Sequence, residues 1–139
     1  MSVLLDSNVI LDVATDDPIW AEWSDQQITR YQAFGLGVNP VVYAELAVGA
    51  NSRSEVDELL ASLKVQVVES SREALFSAAK AFVQYRRNGG SRTSPLPDFF
   101  IGAQAESHGI PLVTRDPARY RTYFPSVALI CPPPSSPSF

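Results

Sequence analysis

Cysteine and histidine are almost missing from this 139-residue chain: each occurs once, as Cys131 and His108. A lone cysteine excludes an internal disulfide framework and a cysteine-ligated zinc site, and Cys131 reads as a small apolar side chain next to a proline-rich end. A lone histidine excludes acid–base chemistry by two imidazoles. His108 precedes Gly109 at an expected helix end, where it can cap carbonyls. No window approaches the roughly 18 consecutive apolar residues of a membrane span. No basic flank leads into an apolar run at the start, and no internal repeat occurs, so a soluble, cytoplasmic protein is the expectation. With 45% hydrophobic residues, the length suits one domain with a real core.

What is present in quantity is charge, unevenly placed. The net charge is −4, yet residues 1–69 hold eleven acids against three bases, while residues 70–139 hold four acids against eight bases. Arg86, Arg87, Arg92, Arg115, Arg119 and Arg121 fall close in sequence to Asp98 and Asp116. A basic rim around an acidic centre suits a phosphodiester. An ordinary solvated surface accounts for the arginines equally well.

The chain alternates short apolar runs with helical patterns, which predicts an α/β fold with a small parallel β-sheet sandwiched by helices. The first strand, Val3-Leu4-Leu5, runs without alternation into Asp6, as a buried parallel strand does. Ser7 or Asn8 is the expected cap of a helix to about Ala14 with Val9, Ile10 and Val13 inward. Asp17-Pro18 starts a helix to Phe34 that stops at Gly35. Asp12, Asp16, Asp17, Glu22 and Asp25 read as caps and solvated faces. Leu36–Val38 is a strand, and Asn39-Pro40 caps the helix that carries Glu45. Ser52 with Glu55 and Ser70 with Glu73 form two capping boxes, for helices to about Leu63 and to Arg87. In the second, Leu75, Ala78, Ala79, Phe82 and Val83 are the expected core face. Strands are expected at Val65–Val68, Ile110–Val113 and Val127–Cys131. The single domain spans 1–131; 132–139, rich in proline and serine, is a flexible tail. The loop 91–96 is either a plain connector or a cover for a site.

Four acids share a position that matters. Asp6 ends the first strand, Asp116 lies in the turn that follows another, Glu45 lies in a helix entered directly from a strand, and Asp98 opens a nearly all-apolar helix. Open α/β sheets place their sites at that carboxyl edge. Each acid alone has an ordinary explanation: a surface glutamate, a helix-opening aspartate, an Asp-Pro turn. Together they cannot all stay ionised unaided, since each pair at ~4 Å repels by about 4 kcal/mol at an effective dielectric near 20. With only oxygen ligands at hand, Mg²⁺ or Mn²⁺ is the expected ion. Such an ion turns bound water into a nucleophile for phosphorus. Ser7, Asn8 and Thr114 would then orient ligands or water, and Arg115 and Arg119 are candidates for phosphate contact.

Leu5-Asp6-Ser7-Asn8, Glu45, Pro97-Asp98-Phe99-Phe100-Ile101-Gly102-Ala103 and Leu112-Val113-Thr114-Arg115-Asp116 resemble the four signature segments of the PIN domain. The length and the run Thr114 to Tyr120 are most similar to the VapC toxins of bacterial toxin–antitoxin pairs. The resemblance implies a Mg²⁺- or Mn²⁺-dependent endoribonuclease that cuts structured RNA, tRNA or rRNA, and stops translation. It implies that Asp6, Glu45 and Asp98 are the core metal acids and Asp116 the more variable one. It also implies a homodimer silenced by a small VapB-like antitoxin.

Three other readings compete. A PIN-fold nuclease with another task, such as rRNA maturation or flap cleavage, would differ in substrate. A non-catalytic binding module would use the acids to accept a partner's arginine. A receiver or phosphatase domain also has an acidic pocket, but no Asp-x-Asp-x-Thr follows the first strand.

Overall fold

The computed structural model describes residues 2–90 and 96–134. Five short parallel strands form one sheet: β1 (Val3–Leu5), β2 (Leu36–Val38), β3 (Val65–Val67), β4 (Leu112–Val113) and β5 (Leu129–Ile130), in the order β3-β2-β1-β4-β5. Seven helices flank it: α1 (Ser7–Ala14), α2 (Ala21–Tyr31), α3 (Pro40–Val48), α4 (Arg53–Ser62), α5 (Arg72–Arg87), α6 (Leu96–His108) and α7 (Ala118–Tyr123). The predicted α/β class is therefore the observed one. Among the described residues no helix is long and apolar enough to cross a membrane.

β1 is central because it can be buried on every side. Val3, Leu4 and Leu5 are all within 1% of full burial, and the strand pairs with β2 on one side and β4 on the other. From β1 the chain first builds outward through β2 and β3, then returns to build β4 and β5. The order reverses between β1 and β4, and a crevice opens at the carboxyl ends of strands at such a reversal. Asp6 leaves β1 there, and Thr114 leaves β4 beside it.

Local sequence explains most boundaries. Gly35, at φ +100°, turns the chain into β2 in a conformation other residues rarely adopt. Asn39 accepts the backbone N–H of Val42 at 2.8 Å, and Ser52 accepts that of Glu55 at 3.2 Å, as the caps predict. Phe99, on α6, is fully buried among Phe82, Tyr85, Tyr123 and Phe124, which ties α5, α6 and the α7 end together. Gly102 faces the Phe124 ring so closely that any side chain there would meet it.

Several expectations need correction. Asp6, not Ser7 or Asn8, occupies the cap position of α1, and its side chain makes no cap hydrogen bond. α2 starts at Ala21, because the Asp17 carboxylate takes the N–H groups of Ile19 and Trp20 and holds residues 18–20 in a turn. Its regular part ends at Tyr31, with a tighter 3₁₀ turn over Gln32–Phe34. The cap of α5 is Ser71, which accepts from Ala74 at 3.1 Å, rather than Ser70. The buried face of α5 carries Ala74 and Ala78, with Phe82 and Tyr85 against the core; small residues let α5 lie close on α6. Leu75, Ala79 and Val83 consequently face outward with Phe76. Three strands are shorter than expected at β3, β4 and β5. The expected loop 91–96 lies outside the described residues except for Leu96, which begins α6, and so does the tail from residue 135.

Asp12 is the largest departure from expectation. Expected on a solvated face, it is 2% exposed, and its carboxylate accepts from Ser24 Oγ at 2.8 Å and from Arg115 Nε and Nη2 at 2.9 and 3.1 Å. A buried carboxylate persists only when paired and hydrogen-bonded, and a bidentate arginine supplies both.

Candidate active site

Asp6 is the best-supported residue of the crevice. It is 4% exposed, and its Oδ2 accepts from Thr114 Oγ1 and Tyr120 Oη at 2.9 Å each, with Asn8 Nδ2 at 3.4 Å. Burial pushes its carboxyl up from the usual range; the Thr114 and Tyr120 hydroxyls oppose that rise, and the charge of Asp116 adds to it.

Thr114 is fully buried and connects two strand ends. Its oxygen accepts the backbone N–H of Asp116 at 3.1 Å and faces Asn8 Nδ2 at 3.5 Å, while its proton goes to Asp6. The Asn39 cap starts α3 directly from β2, and this brings Glu45 to the same edge. Glu45 is half-buried, and its Oε1 is shielded from solvent with no partner among the described residues. Burial raises its carboxyl first, then the charge of Asp6, with Asp98 adding and the Ser7 hydroxyl opposing.

Asp98 enters from the first turn of α6. Its Oδ2 accepts from Arg119 Nη1 at 2.6 Å, and the Arg119 guanidinium also lies 5.6 Å from the centre of the Tyr85 ring. Burial and then Asp6 push the Asp98 carboxyl up to about 6, against the pull of Arg119. Asp116 is different in kind: its side chain is 75% exposed, 3.9 Å from Arg115 Nη1, at the rim of a pocket of about 390 Å³ lined by Asp98, Asp116, Pro117, Ala118 and Arg119.

The structure thus brings Asp6, Glu45 and Asp98 into one electrostatic neighbourhood, with Ser7, Asn8 and Thr114 around Asp6 and Glu45, and leaves Asp116 at the edge. Arg119 stands among the acids. Arg115 is held by Asp12 and reaches only Asp116 of the four, at 3.9 Å. Arg92 lies outside the described residues.

Among the described residues, no three acids or histidines converge closely enough to ligate one ion as they stand. Like charges without a cation separate, and Arg119 holds one oxygen of Asp98. The donor chemistry nevertheless fits a hard cation: the side chains are carboxylates, one oxygen of Glu45 is shielded and unpartnered among the described residues, and Asp6, Glu45 and Asp98 are all held above their usual range.

Two contacts of this region carry no local sequence signal. Tyr120 is 1% exposed and donates to Asp6 from 114 positions away; in the sequence it is one aromatic in a short polar helix. Asp12 and Arg115 find each other across 103 positions, which no local pattern encodes.

A model of the PIN domain matches residues 3–125 of the chain. Among solved structures, the chain is similar to VapBC2 from Rickettsia felis bound to a promoter DNA fragment, with a TM-score of 0.67 and 14% identity over 94% of this chain and 98% of that one. It is similar to VapBC-1 from nontypeable Haemophilus influenzae at 0.68 and 18%, with the same coverage. DNA-bound VapBC from Salmonella typhimurium gives 0.64 and 18%, again over 94% and 98%. No curated protein matches. At these identities the structures share the fold, whereas the domain match runs through all four acid-bearing segments. The chain belongs to the PIN-domain family.

Proposed function

We propose that this chain is a divalent-cation-dependent endoribonuclease of the VapC type, the toxin of a toxin–antitoxin pair. The observation that carries the reading is the unpartnered, buried Glu45 oxygen beside Asp6 and Asp98, three carboxylates whose mutual repulsion a hard cation would relieve. Asp6, Glu45 and Asp98 would hold Mg²⁺ or Mn²⁺, with Asp116 contributing from the rim. Such an ion supplies a deprotonated water and charge relief for a phosphodiester.

The chain's own residues do the rest. Thr114 fixes the orientation of Asp6 while its oxygen anchors the Asp116 backbone. Arg119, which neutralises Asp98 here, is within reach of the pocket where a substrate phosphate would lie. The shared fold with chains of VapBC complexes supports a small VapB-like antitoxin as partner and RNA as substrate. Homodimerisation and a cytoplasmic site of action belong to the same reading.

The test is incubation of purified protein with structured RNA and with duplex DNA, in Mn²⁺, Mg²⁺ or EDTA. RNA should be cut only with metal, and Asp98→Asn should lower the rate by more than the roughly 10–100-fold that losing a group behind a metal ligand costs, with an unchanged circular dichroism spectrum. Intact RNA in every buffer would leave a non-catalytic binding module. Preference for duplex DNA would remove the toxin reading.

A further inference from the structure

One short turn of α7 reaches both deep acids of the crevice: Arg119 donates to Asp98 Oδ2, and the next residue, Tyr120, donates to Asp6 Oδ2. The two contacts differ in what they constrain. Arg119 is 34% exposed and makes one bond. Tyr120 is buried by the core on all sides, so its hydroxyl has a fixed position.

The hydrogen-bond directions at Asp6 follow from counting protons. The Thr114 hydroxyl has one proton, and its lone pairs already face N–H donors, the Asp116 amide at 3.1 Å and Asn8 Nδ2 at 3.5 Å. Its proton is therefore committed to Asp6 Oδ2 at 2.9 Å. The Tyr120 hydroxyl donates to the same oxygen at 2.9 Å. An sp² carboxylate oxygen has two lone-pair directions, and the two hydroxyls at 2.9 Å fill them, with Asn8 Nδ2 a longer third contact at 3.4 Å. Every side-chain donor that reaches Asp6 among the described residues arrives on Oδ2, and none on Oδ1; the one backbone group facing the carboxylate is the Ser7 N–H.

We propose that Tyr120 is a positioning residue for Asp6: together with Thr114 it saturates Oδ2, so that Asp6 offers a cation Oδ1 alone, in one orientation. This rests on the divalent-cation reading of the site given above. A carboxylate held at one oxygen cannot swing into two-oxygen coordination, and its rotation is settled before the ion arrives. Groups that orient metal ligands in this way change metal affinity or activity by roughly 10–100-fold when removed.

Tyr120→Phe removes the hydroxyl and keeps the ring that fills the core. The readout is Mn²⁺ binding by the intact chain, measured by calorimetry without RNA, alongside the melting temperature in EDTA. The expected result is Mn²⁺ affinity about 10-fold weaker, with melting in EDTA within about 2 °C of the parent chain. In RNA cleavage, the Mn²⁺ concentration for half-maximal rate should rise by a similar factor, and the rate at saturating Mn²⁺ should recover most of its parent value. Mn²⁺ affinity within twofold of the parent chain overturns the inference, whatever happens to the melting temperature. A parent chain that binds no Mn²⁺ overturns both this inference and the reading beneath it. A parent chain that binds Mn²⁺ but cuts no RNA, with Tyr120→Phe weakened in binding, sustains the inference and removes only the nuclease reading.

Discussion

The segment after β4 carries two arginines four positions apart, Arg115 in the turn and Arg119 on α7, and each is paired with an aspartate from another helix, but the two pairs have little else in common. Arg115 grips Asp12 through two nitrogens, and Asp12 is 2% exposed and further held by Ser24. Arg119 touches Asp98 through one nitrogen at 2.6 Å, with 25% of the aspartate side chain in solvent. Burial, and then the charge of Asp6, raise the Asp98 carboxyl to about 6. The first pair satisfies a buried carboxylate, with Asp116 a longer second contact of Arg115 at 3.9 Å, and serves the fold. The second is part of a larger charge problem that it does not solve, which is how a site poised for a ligand differs from a structural lock.

The largest expected effect separates the two pairs by stability. Arg115→Met strands a buried carboxylate with Ser24 as its remaining side-chain donor and should cost about 3–5 kcal/mol in urea unfolding. Arg119→Met removes a partly solvated pair and should cost about 0–1 kcal/mol, while slowing RNA cleavage. Equal losses of stability would erase the distinction drawn here. Cleavage unaffected by Arg119→Met would remove its phosphate role.

That distinction is also where sequence reading reached its limit. Asp6, Glu45 and Asp98 could be placed because each follows a strand or opens a helix, and strand ends in parallel sheets converge whatever the intervening residues are. Gly35, Asn39 and Ser52 act within a few positions of themselves, so their turns and caps were legible too. Asp12 was not legible, because an acid two positions from Ile10 on a short helix is solvated unless a partner arrives, and the partner lies beyond β4. The α5 face was misjudged for a related reason: Leu75 and Val83 fit a helical stripe, but the neighbouring α6 accepts the alanine side instead. Periodicity gives the existence of a face, while the partner surface selects which one is buried.

A pH series sharpens the contrast at the next level of effect. In metal-free protein the folded-state carboxyl of Asp98 titrates near 6 and the unfolded one near 3.8. Between those values the folded state binds the extra proton, so stability is fully present below about 4 and falls as pH rises through 6. A displacement of that size corresponds to at most about 3 kcal/mol. Unfolding free energy in EDTA should therefore decline from pH 4 to pH 7, and Asp98→Asn should flatten most of that decline. Asp6 and Glu45, also raised, contribute in the same direction. A slope that survives Asp98→Asn unchanged would assign it to those two acids instead.

The smallest effect tests whether the Asp12 pair is a lock of several parts. The Arg115 guanidinium lies 5.7 Å from the centre of the Trp20 ring, and Trp20 meets Trp23 edge-on at 6.4 Å. An aromatic face over a guanidinium stabilises by about 0.5–1 kcal/mol at partly exposed sites. Trp20→Leu alone changes both packing and this contact, so the informative quantity is the coupling in a double-mutant cycle with Arg115→Met. Trp20→Leu should cost about 0.5–1 kcal/mol more in the parent chain than in the Arg115→Met background, because only the parent has a cation for the ring to cover. The same cycle run between Trp20 and Arg119 should give no coupling, since Arg119 stacks on Tyr85 instead. A Trp20 effect that is equal in all three backgrounds would reduce the lock to Asp12, Ser24 and Arg115, with the indole as ordinary packing.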